Sequence, residues 1–185
     1  MTLSPEIKVT TQILWEGALI FALLDAVFVS VLAIKVKPEI FRQCKWELVI
    51  TTGIFWFLLL GIMMSWLFWE PVYHYLFPAW ARWLIPPAYG VLFAGMGLLF
   101  WWLSLRLRGN PIIYWCILGG LWGMITHIWA IYRGLLDKPP MLQGASPLAT
   151  AIMPIFEFIF YYCVILTLTL SNRLARRLIG PSSRI

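Results

Sequence analysis

The chain has 185 residues, of which 62% are hydrophobic and 12% charged, and its mean hydropathy is +0.84. A soluble domain of this size has no core large enough to hide that much apolar surface, so a soluble globular fold is excluded. The net charge is +6, but the basic residues fall in short links between apolar runs, which excludes a nucleic-acid-binding face.

Five apolar stretches, near 12–34, 48–69, 87–105, 111–132 and 148–170, each match the roughly 20 residues that a helix needs to cross a bilayer. They predict an all-α, polytopic membrane bundle of five transmembrane helices, a single integral-membrane domain over residues 1–185 with no soluble domain. The first span carries Glu16 and Asp25; lacking a basic n-region and an A-x-A site, it is not read as a cleaved signal. The second exits at Glu70, Pro71 and His74. The Pro- and Trp-rich link FPAWARWLIPPAYG (77–90) is predicted to lie in the membrane interface as a lid or re-entrant corner, with Pro86 and Pro87 delaying the third span. That span holds no ionisable group but offers a small face at Gly90, Ala94 and Gly97. The fourth carries a G-x-x-x-G at Gly119 and Gly123, a close-packing signal, and His127. The stiff link RGLLDKPPMLQGASP (133–147) leads to the fifth span, with Glu157 inside it.

The links fix an expected topology. Lys35, Lys37, Arg42 and Lys45, then Arg106 and Arg108, then Arg173, Arg176, Arg177 and Arg184 all fall on one side of a five-span protein. The other side has Lys8, Arg82, Arg133 and Lys138. The positive-inside rule then puts the N-terminus outside and the C-terminus in the cytoplasm, with the basic tail on anionic lipid. The expected location is a bacterial inner (plasma) membrane.

Helix rise converts position into depth, placing Glu157 about 12–15 Å below the outer surface. Glu16, Glu70 and His127 share that outer half, whereas Asp25 lies past the midplane. Ionisable groups inside a membrane are expensive and mark a functional site by default. Glu157 is the candidate proton donor, His127 its proton-exchange partner, and Glu16 or Glu70 a second acid–base group. Two other readings stand beside this one. Glu157 and His127 can be interhelical glue, or Asp25, Glu157 and His127 can form a proton or cation path. His74 and His127 differ in depth, and neither H-x-x-x-H nor E-x-x-H spacing occurs, so no metal, haem or other cofactor is expected. Cys44, Cys116 and Cys163 read as small packing residues rather than a disulfide framework.

Twelve Trp, twelve Phe and seven Tyr form in part an interfacial belt, yet several accompany the acids directly, in LWEG (14–17), FWEPVYHY (68–75), THIWAIY (126–132) and FEFIFYY (156–162). Trp69, Tyr73, Trp129, Phe160 and Tyr161 are therefore candidates for a substrate-binding wall. Such a wall suits a lipophilic substrate reacting through a carbocation, and equally a flat apolar ligand with no chemistry.

The stretch PIFEFIFY (154–161) resembles the Pro-(Ile/Leu)-Glu-Glu-x-x-Phe-Phe signature of the small membrane lycopene cyclases of heterodimeric or fused type. Pro154, Ile155, Glu157, Phe160 and the aromatic Tyr161 match, Gly144 precedes them after a Pro-containing loop, and Phe156 stands where that family has its first Glu. Separately, LFWEPVYHY resembles the Trp-Glu-x-x-Tyr stretch of small membrane terpene cyclases of meroterpenoid pathways, through Trp69, Glu70 and Tyr73. Both resemblances imply protonation of an isoprenoid double bond or epoxide by an intramembrane acid, with aromatic walls guiding the cation. The expected function is a cofactor-independent cyclase or isomerase of an isoprenoid or sterol-like lipid. The alternatives are a non-catalytic subunit or assembly factor bound to a partner membrane subunit, and a small proton or cation transporter.

Overall fold

A computed structural model describes residues 8–64 and 69–179, with side chains through 176; Arg177 and Arg184 of the basic tail lie outside the described side chains. Five helices are long and apolar enough to cross a membrane. They are α1 (Thr11–Lys35), α3 (Lys45–Ile62), α5 (Ala81–Ser104), α6 (Pro111–Tyr132) and α7 (Pro147–Ile179). In hydrocarbon a helix is the one open-ended element that satisfies its own backbone, and among the described residues there are no strands. A short helix α2 (Pro38–Gln43) fills the first basic link, and α4 (His74–Leu76) is a single turn beyond α3.

Helix α7 is the hub, packed along α1 on one flank and α6 on another, while α3 lies along α5. Contacts of α5 with α6 and of α3 with α7 close these four into a ring, and α1 stays outside it. Missing side chains set the closest approaches. A Cβ on Gly119 of α6 would overlap the ring of Tyr162, and one on Gly123 would overlap that of Phe158. Close approach of this kind supplies the dispersion contacts that hold membrane helices together, since lipid offers no hydrophobic drive between them.

The two ends of the bundle are tied differently. At the N-terminal end Thr10 caps α1 by accepting from the Ile13 amide at 3.2 Å. The Ser146 amide donates to Thr11 Oγ1 at 2.9 Å, and the Val9 amide to the Met141 carbonyl at 2.8 Å. At the opposite, basic end Asn110 caps α6 through the Ile112 amide at 3.0 Å and donates to the Ala33 carbonyl at 3.1 Å. Arg173 donates there to Gln43 Oε1 at 2.9 Å and reaches Glu47 at 3.8 Å.

Three boundaries depart from expectation. The α-helical part of the second span stops at Ile62, and residues 69–73 are π-helical around Pro71. Proline has no amide hydrogen to give to an α-helical ladder, and single-turn π segments arise where that ladder is interrupted. The 77–90 link is neither lid nor re-entrant corner, because α5 begins at Ala81 and runs straight through Pro86 and Pro87. Both prolines lie in its second turn, where they withdraw two donors but keep a helix-compatible φ; the first turn is secured by the Ala81 amide on the Pro78 carbonyl at 2.9 Å. Finally, the last span does not end near 170 but continues as one helix to Ile179, with Pro154 inside it.

Candidate functional site

Glu157 and Tyr161 lie one turn apart on the same face of α7, a spacing that stacks side chains i and i+4. The Tyr161 hydroxyl donates to Glu157 Oε1, and both residues are half-buried. The Tyr161 ring is held on its other side by α3, 5.7 Å from Phe55 and edge-on to Trp56 at 5.6 Å. Trp56 is the keystone of a larger wall. It stacks on Phe93 of α5 at 4.0 Å and meets Phe158 of α7 at 4.9 Å, and Tyr89 stacks on Phe93 at 5.7 Å.

His127 enters from α6. Its Nδ1 lies 2.9 Å from the Gly123 carbonyl, which can only accept, so Nδ1 carries the hydrogen and Nε2 is the basic nitrogen of the neutral ring. The ring is edge-on to Phe158 at 6.2 Å. His127, Tyr161 and Tyr73 all lie within electrostatic reach of Glu157. Burial pushes the Tyr73 phenol up to about 12, with Tyr89 and then Glu157 adding to it. Four elements thus converge on one carboxyl. Glu157 and His127 do not bond each other among the described residues; the carboxyl engages Tyr161 and the imidazole engages Gly123, and the two interact through space.

The other expected site residues are dispersed. Glu16, similar in depth, is exposed on α1 and accepts from Gln12 Nε2 at 2.7 Å. Glu70 is exposed in the π-helical turn. Asp25 is 5% exposed, and among the described residues neither of its oxygens has a hydrogen-bond partner; it lies within electrostatic reach of Cys116, whose Sγ lies 3.8 Å from that of Cys163. Of the expected wall, Tyr73 and Tyr161 join Glu157. Phe160 instead packs on Phe21 and Phe28 of α1 at 5.6 and 5.8 Å, Trp69 is buried with the Arg82 guanidinium 5.7 Å from its ring, and Trp129 is 58% exposed. Phe55, Trp56, Phe93 and Phe158 were not among the expected wall residues. The available signal was Trp56 itself, a tryptophan in mid-span rather than at the interface where belt residues belong.

A groove of ≈ 330 Å³ runs between α3 and α7, lined by Ile54, Phe55, Leu58, Leu59, Ile62 and Leu168, with Thr51 and Asn172 also in its wall. Leu168 and Asn172 continue the stripe of α7 that carries Glu157 and Tyr161. Phe55 lines the groove and also packs on the Tyr161 ring, so groove and site share one wall residue. Among the described residues no three His, Cys, Asp or Glu side chains converge as metal ligands. No family model, no curated protein and no solved structure matches this chain, so the chemistry of the site is argued from its own geometry.

Proposed function

We propose that the protein is a cofactor-independent intramembrane acid–base catalyst, a cyclase or isomerase acting on a lipophilic isoprenoid or sterol-like substrate. One observation carries this reading: the Tyr161 hydroxyl donates to Glu157, and the Tyr161 ring packs on Trp56 and on Phe55, a wall residue of the apolar α3/α7 groove. A long apolar chain lies in the α3/α7 groove with its reacting double bond at Glu157. The carboxyl proton adds to one alkene carbon, the π pair forms the new C–H bond, and positive charge develops on the other carbon. Trp56, Phe55 and Tyr161 present ring faces to that cation, which the negative faces of the ring quadrupoles stabilise. In a cyclase a second alkene of the same substrate supplies the π pair for a new C–C bond. Loss of a C–H proton to His127 Nε2, or back to Glu157, restores a neutral alkene. Proton return to Glu157 closes the cycle with no net change in atoms or electrons.

The resemblance of PIFEFIFY to the lycopene-cyclase signature supports the same reaction class. The distribution of Lys and Arg supports an orientation with the basic end in the cytoplasm of a bacterial inner (plasma) membrane. The direct test uses wild-type protein and Glu157→Gln in lipid nanodiscs with an extract of membrane isoprenoids. Isomerisation and cyclisation conserve mass, so chromatography with mass spectrometry should reveal a product of unchanged mass and altered retention. It should be absent with Glu157→Gln inserted at wild-type level. Equal conversion by the variant, or none by the wild type, overturns the proposal.

A second reading, a non-catalytic subunit or assembly factor, is favoured by the openness of the α3/α7 groove, which a helix of a partner membrane subunit could fill. It expects a second membrane protein to co-purify in mild detergent and the groove to be covered against lipid.

A further inference from the structure

A second groove lies away from Glu157, on the face of α5 toward the basic end. It has a volume of ≈ 370 Å³ and is lined by Gly95, Leu98, Leu99, Trp101, Trp102 and Lys45. Gly95 forms its floor deep in the span, where an added Cβ would meet nothing within 4 Å. From Gly95 to Trp102 the channel is about 10 Å long, enough to seat the upper part of one acyl chain. Two cations stand at its mouth. Lys45 Nζ lies 4.6 Å from the Trp46 ring and 5.4 Å from that of Trp101, and the Arg106 guanidinium lies 3.7 Å from the Trp102 ring. Trp101 is fixed by donating its indole N–H to the Phe41 carbonyl at 3.2 Å. Among the described residues neither cation has a carboxylate within 4 Å; the neighbouring Glu47 is turned to Arg173.

We propose that this groove is a binding site for an anionic phospholipid. Lys45 and Arg106 receive the phosphodiester, the indoles of Trp101 and Trp102 flank the glycerol level, and one acyl chain follows Leu99 and Leu98 down to the Gly95 notch. Two cations without protein counter-charges, placed at the level where headgroup phosphates lie, are complementary to net negative lipid. A zwitterionic headgroup brings its own cation and gains less. The site is independent of the chemistry assigned to Glu157.

The test is native mass spectrometry of the full chain in mild detergent, titrated with phosphatidylglycerol and phosphatidylcholine of identical acyl chains. The wild type should retain several-fold more phosphatidylglycerol. The double variant Lys45→Gln/Arg106→Gln should bring it down to the phosphatidylcholine level with phosphatidylcholine retention unchanged, which also reports an intact fold. Lys45→Arg should preserve the preference, and Gly95→Leu should lower retention of both lipids by filling the notch. Equal retention of the two lipids by the wild type, or an undiminished preference in the double variant, overturns the proposal.

Discussion

Tyr162 of α7 has its ring in the space that a side chain on Gly119 of α6 would need. The ring is also edge-on to Trp115 at 4.7 Å, and it is fully buried, so it has nowhere to retreat. Gly119→Ala should therefore force α6 and α7 apart and cost about 1–3 kcal/mol, as overpacking does. Gly61→Ala is the matched control: a Cβ there meets nothing within 4 Å among the described residues, and removing a helix-interior glycine should gain about 0.5–1 kcal/mol. Denaturant unfolding of both variants in mixed micelles measures the difference. Equal stability of Gly119→Ala and wild type would mean that the helices are not in this contact.

Trp56 joins α3 to both α5 and α7 through Phe93, Phe158 and Tyr161. Trp56→Ala should cost about 3–5 kcal/mol, the range for deleting a large buried aromatic. Trp129→Ala, on an exposed position, should change stability by less than about 0.5 kcal/mol. Because the Trp56 indole N–H has no partner among the described residues, Trp56→Phe forfeits ring area without breaking a hydrogen bond, and it should fall between the two. The same unfolding assay ranks all three.

The number of spans and their approximate positions were legible because hydrocarbon thickness imposes a length on apolar segments, and α1, α3, α5, α6 and α7 obey it. Glu157 was legible as well, since a carboxylate in such a segment stands out by composition alone. Depth, however, is only one of the two coordinates of a helical residue. By helix rise Glu16 and Glu157 are expected in the same half of the bilayer, but Glu16 is exposed, because the facing of α1 is set by which side meets α7. That facing follows from pairwise packing such as Gly17 against Met153, and α1 is too uniformly apolar to announce it. Trp56 was hidden for the opposite reason, as one aromatic among many, distinguished only by its neighbours. Pro86 and Pro87 suggested a late start for α5; their actual tolerance depends on lying within two turns of a helix end that forms upstream.

Asp25 is buried, and among the described residues both of its oxygens are unpartnered. An unsatisfied buried polar group costs about 1–3 kcal/mol, and replacing it with an apolar group of similar shape relieves that cost. Asp25→Leu should therefore raise the unfolding free energy by an amount of that order, measured in the same micelles. A loss of stability would show that the carboxyl has a partner in the membrane. A stabilised variant that loses activity would identify Asp25 as a residue retained for function rather than for the fold.

Tyr161→Phe separates the hydrogen bond to Glu157 from the ring that forms the wall. The ring contacts with Phe55 and Trp56 survive this change, so the groove and the cation-facing surface keep their shape. What is lost is one O–H donor to Oε1, and hydrogen bonds to carboxylates contribute about 1.5–3 kcal/mol. If the bond holds Glu157 in position and stabilises the carboxylate left after proton donation, its loss is felt in the transition state. At 1.36 kcal/mol per factor of ten, kcat should then drop roughly 10- to 100-fold, with KM little changed because binding comes from the apolar wall. Trp56→Phe, which weakens a cation-facing ring and keeps the Tyr161 donor, should likewise lower kcat more than it raises KM. A Tyr161→Phe variant with unaltered kcat on the substrate found in the isoprenoid screen would confine Tyr161 to a packing role and leave Glu157 to be oriented by His127 and Tyr73 alone.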